Sequence, residues 1–494
     1  MAGFNRFKLT TLNAWGGLSF LSGIAMLAAL SALVTLPSLR GAYVVTFLAY
    51  FVIAGGAYIL VVLRLDRDRL PLRLIWGFAI LFRLVLLFTT PTLSDDVYRF
   101  IWDGHLLNQG VNPYSFPVNS PALDQYSTAL RQLVNHGWMA SPYLPTSQLV
   151  FTLVHQIAPE SVKAFQVAAA LLDLLTGWFV MDILRRSSLS ARRVLIYLWN
   201  PLVIIEFAHA AHVVDTLMIF LVVLTFWLLI RPNPERQKQG WNITGSVLSL
   251  ATATLTKGLP ILLVSVVWRR WGWKRWFLFA VLIIGVVALF SVGAGWGISG
   301  VQDGRGVFGA SRIYISWWNY NSGIYHWLEV GLSGYQTPGA VPVEIAGEEP
   351  IQLAKSITTA LLALVVAGTG WLSWRLDDPQ TADHNTRTFN LLRLATLPIG
   401  AYLLFTNTLH PWYVTLIIPF LPFLLPRKNE TPLVQRFIWP WIYFSIAVGL
   451  SYLTYINPND LREFYLVRQV EYIPLYLLLA WAFWPLLSYS STNT

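Results

Sequence analysis

The sequence lacks cysteine altogether and has little charge: of 494 residues, 12% are Asp, Glu, Lys or Arg, where soluble domains carry roughly 25%. The first absence excludes disulfides, thiol nucleophiles and cysteine-ligated metals, and leaves the redox compartment open. The second excludes an ordinary water-facing surface. Long polar stretches are also missing, so no room remains for a soluble domain of common size. What fills the chain is 55% hydrophobic, in recurring runs of about 17–25 residues, the length that crosses a hydrocarbon core as a helix. The expected fold is therefore all-α, a polytopic transmembrane helical protein forming one membrane domain over residues 1–494. In such a chain the net charge of +10 reports on loop placement and not on nucleic acid, which is not an expected partner.

Fourteen crossings are expected, near 14–36, 42–63, 71–90, 163–184, 193–208, 213–230, 242–258, 259–268, 276–295, 352–374, 389–406, 411–426, 437–455 and 472–488. The stretch 242–268 is interrupted by Lys257, Gly258 and Pro260, which predicts a broken hairpin and not one long helix. Counted on that topology, 23 of the 34 Lys and Arg residues fall in loops on one side and nine on the other; Arg83 and Lys257 lie within spans. The excess of basic residues on the cytoplasmic side then puts both termini in the cytoplasm of a plasma (inner) membrane, with 91–162 on the outer face. The first run is too long for the apolar region of a signal peptide and no convincing cleavage site follows, so it is expected to span.

Two outer segments, 91–162 and 296–351, exceed ordinary connections, and long loops are usually functional; a helical part, 352–494, follows. In the first, "ALDQYSTALRQLVNH" and "TSQLVFTLVHQI" have the apolar spacing of amphipathic helices lying at the interface. The second carries "SRIYISWWNYNSGIYHWLEV", whose Tyr and Trp residues suit either an interfacial belt or a platform on which sugar faces stack.

The first outer segment opens with "TLSDDVYRFIWDGHLLNQGVNPY", Thr92 to Tyr114. Ser94 can cap a helix whose first acids, Asp95 and Asp96, suit the N-terminal dipole, with Gly110 and Pro113 at its end. Helical spacing predicts an Asp96–Arg99 pair at i,i+3 and an Arg99–Asp103 pair at i,i+4. Capping alone explains the acids poorly, because a carboxylate at bilayer depth costs roughly 2.5–3.5 kcal/mol and is kept mainly where it works or lines a wet cavity. Sugar transfer needs a base for the acceptor hydroxyl proton, and one Asp suffices. Asp95, nearer the helix start, is expected to be that base, with Asp96 held by Arg99 or tuning its neighbour.

In motif order, "SDDVYRFIWDGHLLNQGVNPY", "YLWNPLVIIEFAHAAHVVD", "TLTKGLP" and "TNTLHPWYVTLIIP" resemble the GT-C superfamily of integral membrane glycosyltransferases. Within it they look most like bacterial polyprenol-phosphate-mannose-dependent mannosyltransferases. The resemblance implies an enzyme that moves a hexose, mannose above all, from a polyprenyl-phosphate donor to a glycan, glycolipid or lipid acceptor on the outer face, with inversion. It also implies an acidic base at Asp95 or Asp96. Two spans precede the one leading to that loop, where the common core of the superfamily has one.

Glu206, His209, His212 and Asp215 crowd one helix end; two His at i,i+3 flanked by acids could ligate a metal. The expectation is that they line the sugar site instead, with no cofactor required and a divalent metal not excluded. Arg99, Trp102, Asp103, Tyr114, Trp317, Trp318, Trp412 and Tyr413 are expected to join them against sugar or acceptor. Departure of a lipid phosphate builds negative charge that fixed donors should meet; Arg312 and His410 come first, then Lys257, Arg462 and Arg468. Arg83, mid-span, demands a buried partner that the sequence does not name. The rival readings are a transporter or flippase of lipid-linked sugars, which should show repeated halves, and an outer-face ligase or polymerase using diphosphate-linked donors.

Overall fold

A computed structural model describes residues 17–231, 236–298, 303–334, 348–380, 383–427, 430, 433–458 and 460–490. Every regular element among them is helical; the one extended pairing is an isolated bridge between Tyr320 and Thr408. The first half contains α1 (Leu18–Leu33), α2 (Val44–Arg64), α3 (Leu72–Leu86), α4 (Asp96–Asn108), α5 (Pro145–Ile157), α6 (Val162–Arg186), α7 (Val213–Ile230) and α8 (Arg236–Thr256). The second contains α9 (Val264–Ser291), α10 (Gly309–Trp317), α11 (Ile324–Ser333), α12 (Glu348–Leu376), α13 (His384–Leu394), α14 (Thr396–Phe405), α15 (Ile438–Ala447) and α16 (Tyr465–Ser490).

Eight described helices are long and apolar enough to cross a membrane, with two shorter apolar ones, Leu18–Leu33 and Pro411–Leu424. The fourteen expected runs are thus not fourteen long helices. Run 193–208 breaks into Leu195–Leu198, Pro201–Ile204 and a π turn, Ile205–His209. The break has a local cause: the Asn200 side chain accepts from the backbone N–H groups of Leu202 and Val203 and restarts the helix ahead of Pro201. Run 411–426 is tightened by Pro411, Pro419 and Pro422 into short turns.

The reversal after α8 follows the sequence. Trp271 Nε1 donates to Ser246 Oγ at 3.0 Å, so the chain leaving Lys257–Gly258 descends alongside α8. Inside α9, Gly272 has φ 66° and ψ 166°, and Val287 packs with Leu255 at the starting end. The chain therefore turns back at Gly272, a left-handed conformation that glycine adopts without a Cβ clash. Read as one straight helix, the 33-residue segment Leu259–Ser291 would measure about 50 Å against a core of roughly 30 Å.

Arg83 finds its partner in α6. Its Nε lies 2.5 Å from Asp173 Oδ2, and Nη1 donates to the carbonyls of Ala79 and Leu198, both at 2.9 Å. The pair ties α3 and α6 to the broken segment, against which Phe78 and Phe82 of α3 also pack edge-on through Trp199.

Within 91–162, α4 and α5 pack face to face. Phe100 stacks on Phe151 with centroids 4.7 Å apart, and a Cβ at Gly104 would stand 2.5 Å from the Phe151 carbonyl oxygen, so glycine permits the approach. The second expected interfacial helix forms as α5, leaving Leu149, Leu153 and Ile157 exposed in a stripe. The first does not. Pro121–Tyr126 and Arg131–Leu133 are short 3-10 turns, because Arg131 folds back to the carbonyls of Val118 and Ser120 and to Asp124, fixing a loop and not a helix.

Candidate active site

The helix α4 starts one residue later than the capping pattern predicts. Asp95 occupies the cap position but caps nothing; the Ser94 hydroxyl accepts from the Asp96 backbone N–H at 3.2 Å. The Asp95 carboxylate instead takes both of its bonds from Arg40 Nη1, at 2.9 and 3.1 Å. Arg40 enters from the turn between α1 and α2, and its guanidinium lies 4.4 Å from the centroid of Tyr455.

Asp96 has a different environment. Asn135 Nδ2 donates to its Oδ1 at 2.8 Å, and among the described residues no cation pairs with it. The expected Asp96–Arg99 pair does not form. Arg99 is buried and donates to the carbonyls of Asn135, His136 and Met139, reaching Asp103 at 3.9 Å. The guanidinium serves three backbone carbonyls, of which those of Asn135 and Met139 have no other donor among the described residues, and so turns away from Asp96. Asp215, His136, Tyr143 and Tyr314 lie within electrostatic range of Asp96.

A second group of side chains gathers from distant segments. Lys257 Nζ, at the α8 reversal, lies 2.6 Å from Asp215 Oδ1 and 4.0 Å from the ring centroid of Tyr413. Tyr413 shares a 2.8 Å hydroxyl contact with Tyr314, which stacks on Trp318; Trp318 meets His136 edge-on at 4.7 Å. Alongside runs a ladder of rings: His212 on Trp412 at 4.2 Å, Trp412 on His410 at 4.4 Å, and His410 on Tyr320 at 4.8 Å. The backbone of 318–320 is clamped to 407–409, through Leu409 N–H to the Tyr320 carbonyl and Asn407 to the Trp318 carbonyl, so the aromatic loop and the "HPWY" turn form one rigid wall.

The π turn explains the placing of the histidines. Gln166 donates to the carbonyls of Ala208 and His209, and Ala211 takes φ 60°, so α7 restarts at Val213 with Asp215 in its first turn. Such π turns recur at functional sites. His209 faces the α3 end, with Nδ1 2.7 Å from the Thr89 hydroxyl and Nε2 accepting from the Thr92 N–H at 3.3 Å, a pairing that fits a neutral ring with its proton on Nδ1. Glu206 lies behind the ladder, accepting from the Tyr452 hydroxyl at 2.6 Å and standing 3.4 Å from His212 Nε2. Among the described residues no three His, Asp or Glu side chains gather as a metal-holding group.

The other expected residues lie elsewhere. Trp102 is buried with Leu106, Val118, Leu123 and Val134 in a small core of the loop itself. Asp103 accepts from Ser141 and Gln148, and burial pushes its carboxyl above the ordinary range, opposed by Arg99 and those two donors. Tyr114 donates to the Tyr143 carbonyl at 2.5 Å. Trp317 and Arg312 are exposed on α10. Arg462 is exposed and pairs with Asp460 at 2.8 Å. Arg468 is buried against Glu463 in a network with Asn321 and Glu471, one layer behind Tyr320. His136, missed by the sequence reading, is held below the ordinary imidazole range by burial, Arg99 adding to the effect while Asp96 and Asp95 oppose it.

Asp215, Lys257, His410, Trp412 and Tyr413 thus form one polar and aromatic contact network, with Asp96 within electrostatic range of Asp215. Such a network offers a carboxylate for a proton and fixed donors for an anion.

Residues 3–272 match the family model described as alpha-(1->6)-mannopyranosyltransferase, N-terminal domain. The chain is 25% identical over 193 residues to alpha-(1->6)-mannopyranosyltransferase A of Corynebacterium glutamicum; the match covers 37% of this chain and 36% of that protein. Among solved structures, one described as ArnT from Cupriavidus metallidurans bound to undecaprenyl phosphate aligns over 83% of this chain and 76% of its own, with 13% identity and a TM-score of 0.42. The match to the family model extends over more than half of the sequence, from the first helices through the acid pair, the π turn and Lys257, and the chain belongs to the alpha-(1->6)-mannopyranosyltransferase family.

Proposed function

We propose that this protein is a membrane glycosyltransferase that moves a mannosyl residue from a polyprenyl-phosphate donor to an acceptor hydroxyl, with inversion, and that Asp96 is its base. The observation that carries the reading is the unequal treatment of two adjacent acids. Asp95 is neutralised by Arg40, whereas Asp96 receives one neutral donor and lies within electrostatic range of Asp215. A base must be able to take a proton, and a carboxylate already clamped by a guanidinium does so poorly.

In the proposed step the acceptor oxygen attacks the anomeric carbon opposite the phosphate. Its proton passes to Asp96, the new C–O bond forms, and the bond from the anomeric carbon to the phosphate oxygen breaks. The electron pair leaves on the lipid phosphate, whose growing charge is met by Lys257, with His410 and Arg40 as further donors within the site's rim.

The outward orientation has its own support. Asp215 lies at the start of α7 and Arg231 just beyond its end; Arg269, Arg270, Arg387 and Arg393 gather at that far end, around Asp377, Asp378 and Glu430. Basic residues favour the cytoplasmic side, so the acid pair faces outward. The test is transfer by the purified protein from labelled polyprenyl-monophosphate mannose, polyprenyl-diphosphate mannose and a nucleotide-linked mannose. Transfer from the monophosphate lipid alone is expected. Preference for the diphosphate lipid would favour the ligase reading, and lipid movement without transfer the flippase.

A further inference from the structure

At the end of the bundle away from the acids lies a cavity of about 230 Å³, among α7, α8, α9 and the α12–α13 connection. Four arginines line it: Arg231, Arg269, Arg270 and Arg387. Against them the lining holds one carboxylate, Asp377. Asp377 is already shared, accepting from Arg270 Nε at 2.6 and 2.8 Å and standing 3.4 Å from Arg387. Arg269 turns to Asp378 at 3.3 Å, and Arg231 lies over the ring of Trp227 at 4.1 Å. The buried Arg387 Nε has no hydrogen-bond acceptor, and Arg270 Nη2 has only the Asp377 Oδ1, at 2.6 Å, that Arg270 Nε and Arg387 already use. The cavity therefore holds more fixed positive charge, and more buried N–H donors, than its own acceptors satisfy, a state that invites an anion.

Its surroundings narrow the kind of anion. Leu228, Leu229 and Ile243 form an apolar wall beside the guanidiniums. Trp273, Trp371 and Trp374 are exposed nearby, two of them carrying arginines on their faces: Arg375 on Trp371 and Arg269 on Trp374. Exposed tryptophans at helix ends mark headgroup depth, and basic pockets between membrane helices at that depth recognise phosphate headgroups. We infer that this cavity binds the phosphate headgroup of an anionic membrane lipid, in the leaflet opposite the proposed transfer site. Phosphate chemistry is shared by a lipid and by free phosphate; the apolar wall and the tryptophans favour the lipid.

The test compares wild type with Arg231→Gln/Arg387→Gln in phosphatidylcholine nanodiscs, with and without phosphatidylglycerol, by thermal melting and by native mass spectrometry of retained lipid. Phosphatidylglycerol is expected to raise the wild-type Tm and to be retained, and the double variant to bind it at least roughly ten-fold more weakly, each arginine near the surface being worth a substantial share. Arg231→Gln alone, changed at the rim, should move in the same direction if the double variant folds poorly. Millimolar inorganic phosphate giving the same rise in Tm would overturn the lipid assignment. So would Arg375→Gln, outside the cavity, losing as much lipid as the cavity variants, since a diffuse basic belt would then be the cause.

Discussion

Arg40 and Asp95, 55 residues apart, meet through one guanidinium nitrogen and both carboxylate oxygens at 2.9–3.1 Å. The contact joins the turn between α1 and α2 to the start of α4 and decides which of two neighbouring acids remains available. The pair is partly exposed, Asp95 by 42%, so its contribution to stability is small, about 0–1 kcal/mol. Arg40→Gln should therefore melt close to wild type, while kcat/KM for the lipid donor falls by about ten-fold or more, as expected for loss of a charge-assisted bond to phosphate. An unchanged kcat/KM would remove Arg40 from the donor site.

Lys257 is expected to act on the leaving group. Lys257→Gln keeps a donor but no charge, and turnover should fall by about 10²–10³, the range seen when a transition-state donor is removed. Lys257→Arg should recover part of it. Wild-type turnover in both variants would restrict the Lys257–Asp215 pair to holding α7 and α8 together.

How much of this was legible in the sequence depends on the range of the interaction. The α4 helix, its termination at Gly110, the Arg99–Asp103 spacing and the reversal at Lys257–Gly258 follow from local chemistry, and local chemistry can be read along the chain. Arg40, Asn135 and His136 could not be placed, because their roles come from contacts tens of residues away. The same limit misdirected Arg99, Trp102, Asp103 and Tyr114: all belong to the quoted acid-rich stretch, yet the loop 109–144 folds over them and buries them. The signal that could have found Arg40 was the extra span before the acid loop: with two spans ahead of the one leading to that loop, a second turn comes to the same end of the bundle.

The Arg83–Asp173 pair is fully buried. Asp173→Ala would strand a guanidinium within the bundle and should cost about 3–5 kcal/mol, whereas exchanging both residues for apolar ones of similar volume should cost much less. Thermal melts in detergent of the single and double variants separate the two. A single variant as stable as wild type would show that water reaches Arg83.

The absence of cysteine allows clean labelling. Ala122→Cys, exposed in the first loop, should react with an impermeant thiol reagent on intact spheroplasts, and Ser190→Cys, exposed beyond α6, only after lysis. The opposite pattern would invert the topology and put the acid pair in the cytoplasm.

The central claim is that Asp96 takes the acceptor proton. Its most direct measurement is the transfer rate from purified polyprenyl-phosphate mannose by Asp96→Asn and Asp95→Asn, each shown by melting to be folded. Asn at 96 retains the shape and the contact with Asn135 but cannot accept a proton, so turnover should fall by about 10²–10⁴, while Asp95→Asn, which only releases Arg40, should lose far less. A folded Asp96→Asn enzyme at wild-type rate, or a larger loss at Asp95 than at Asp96, would contradict the account.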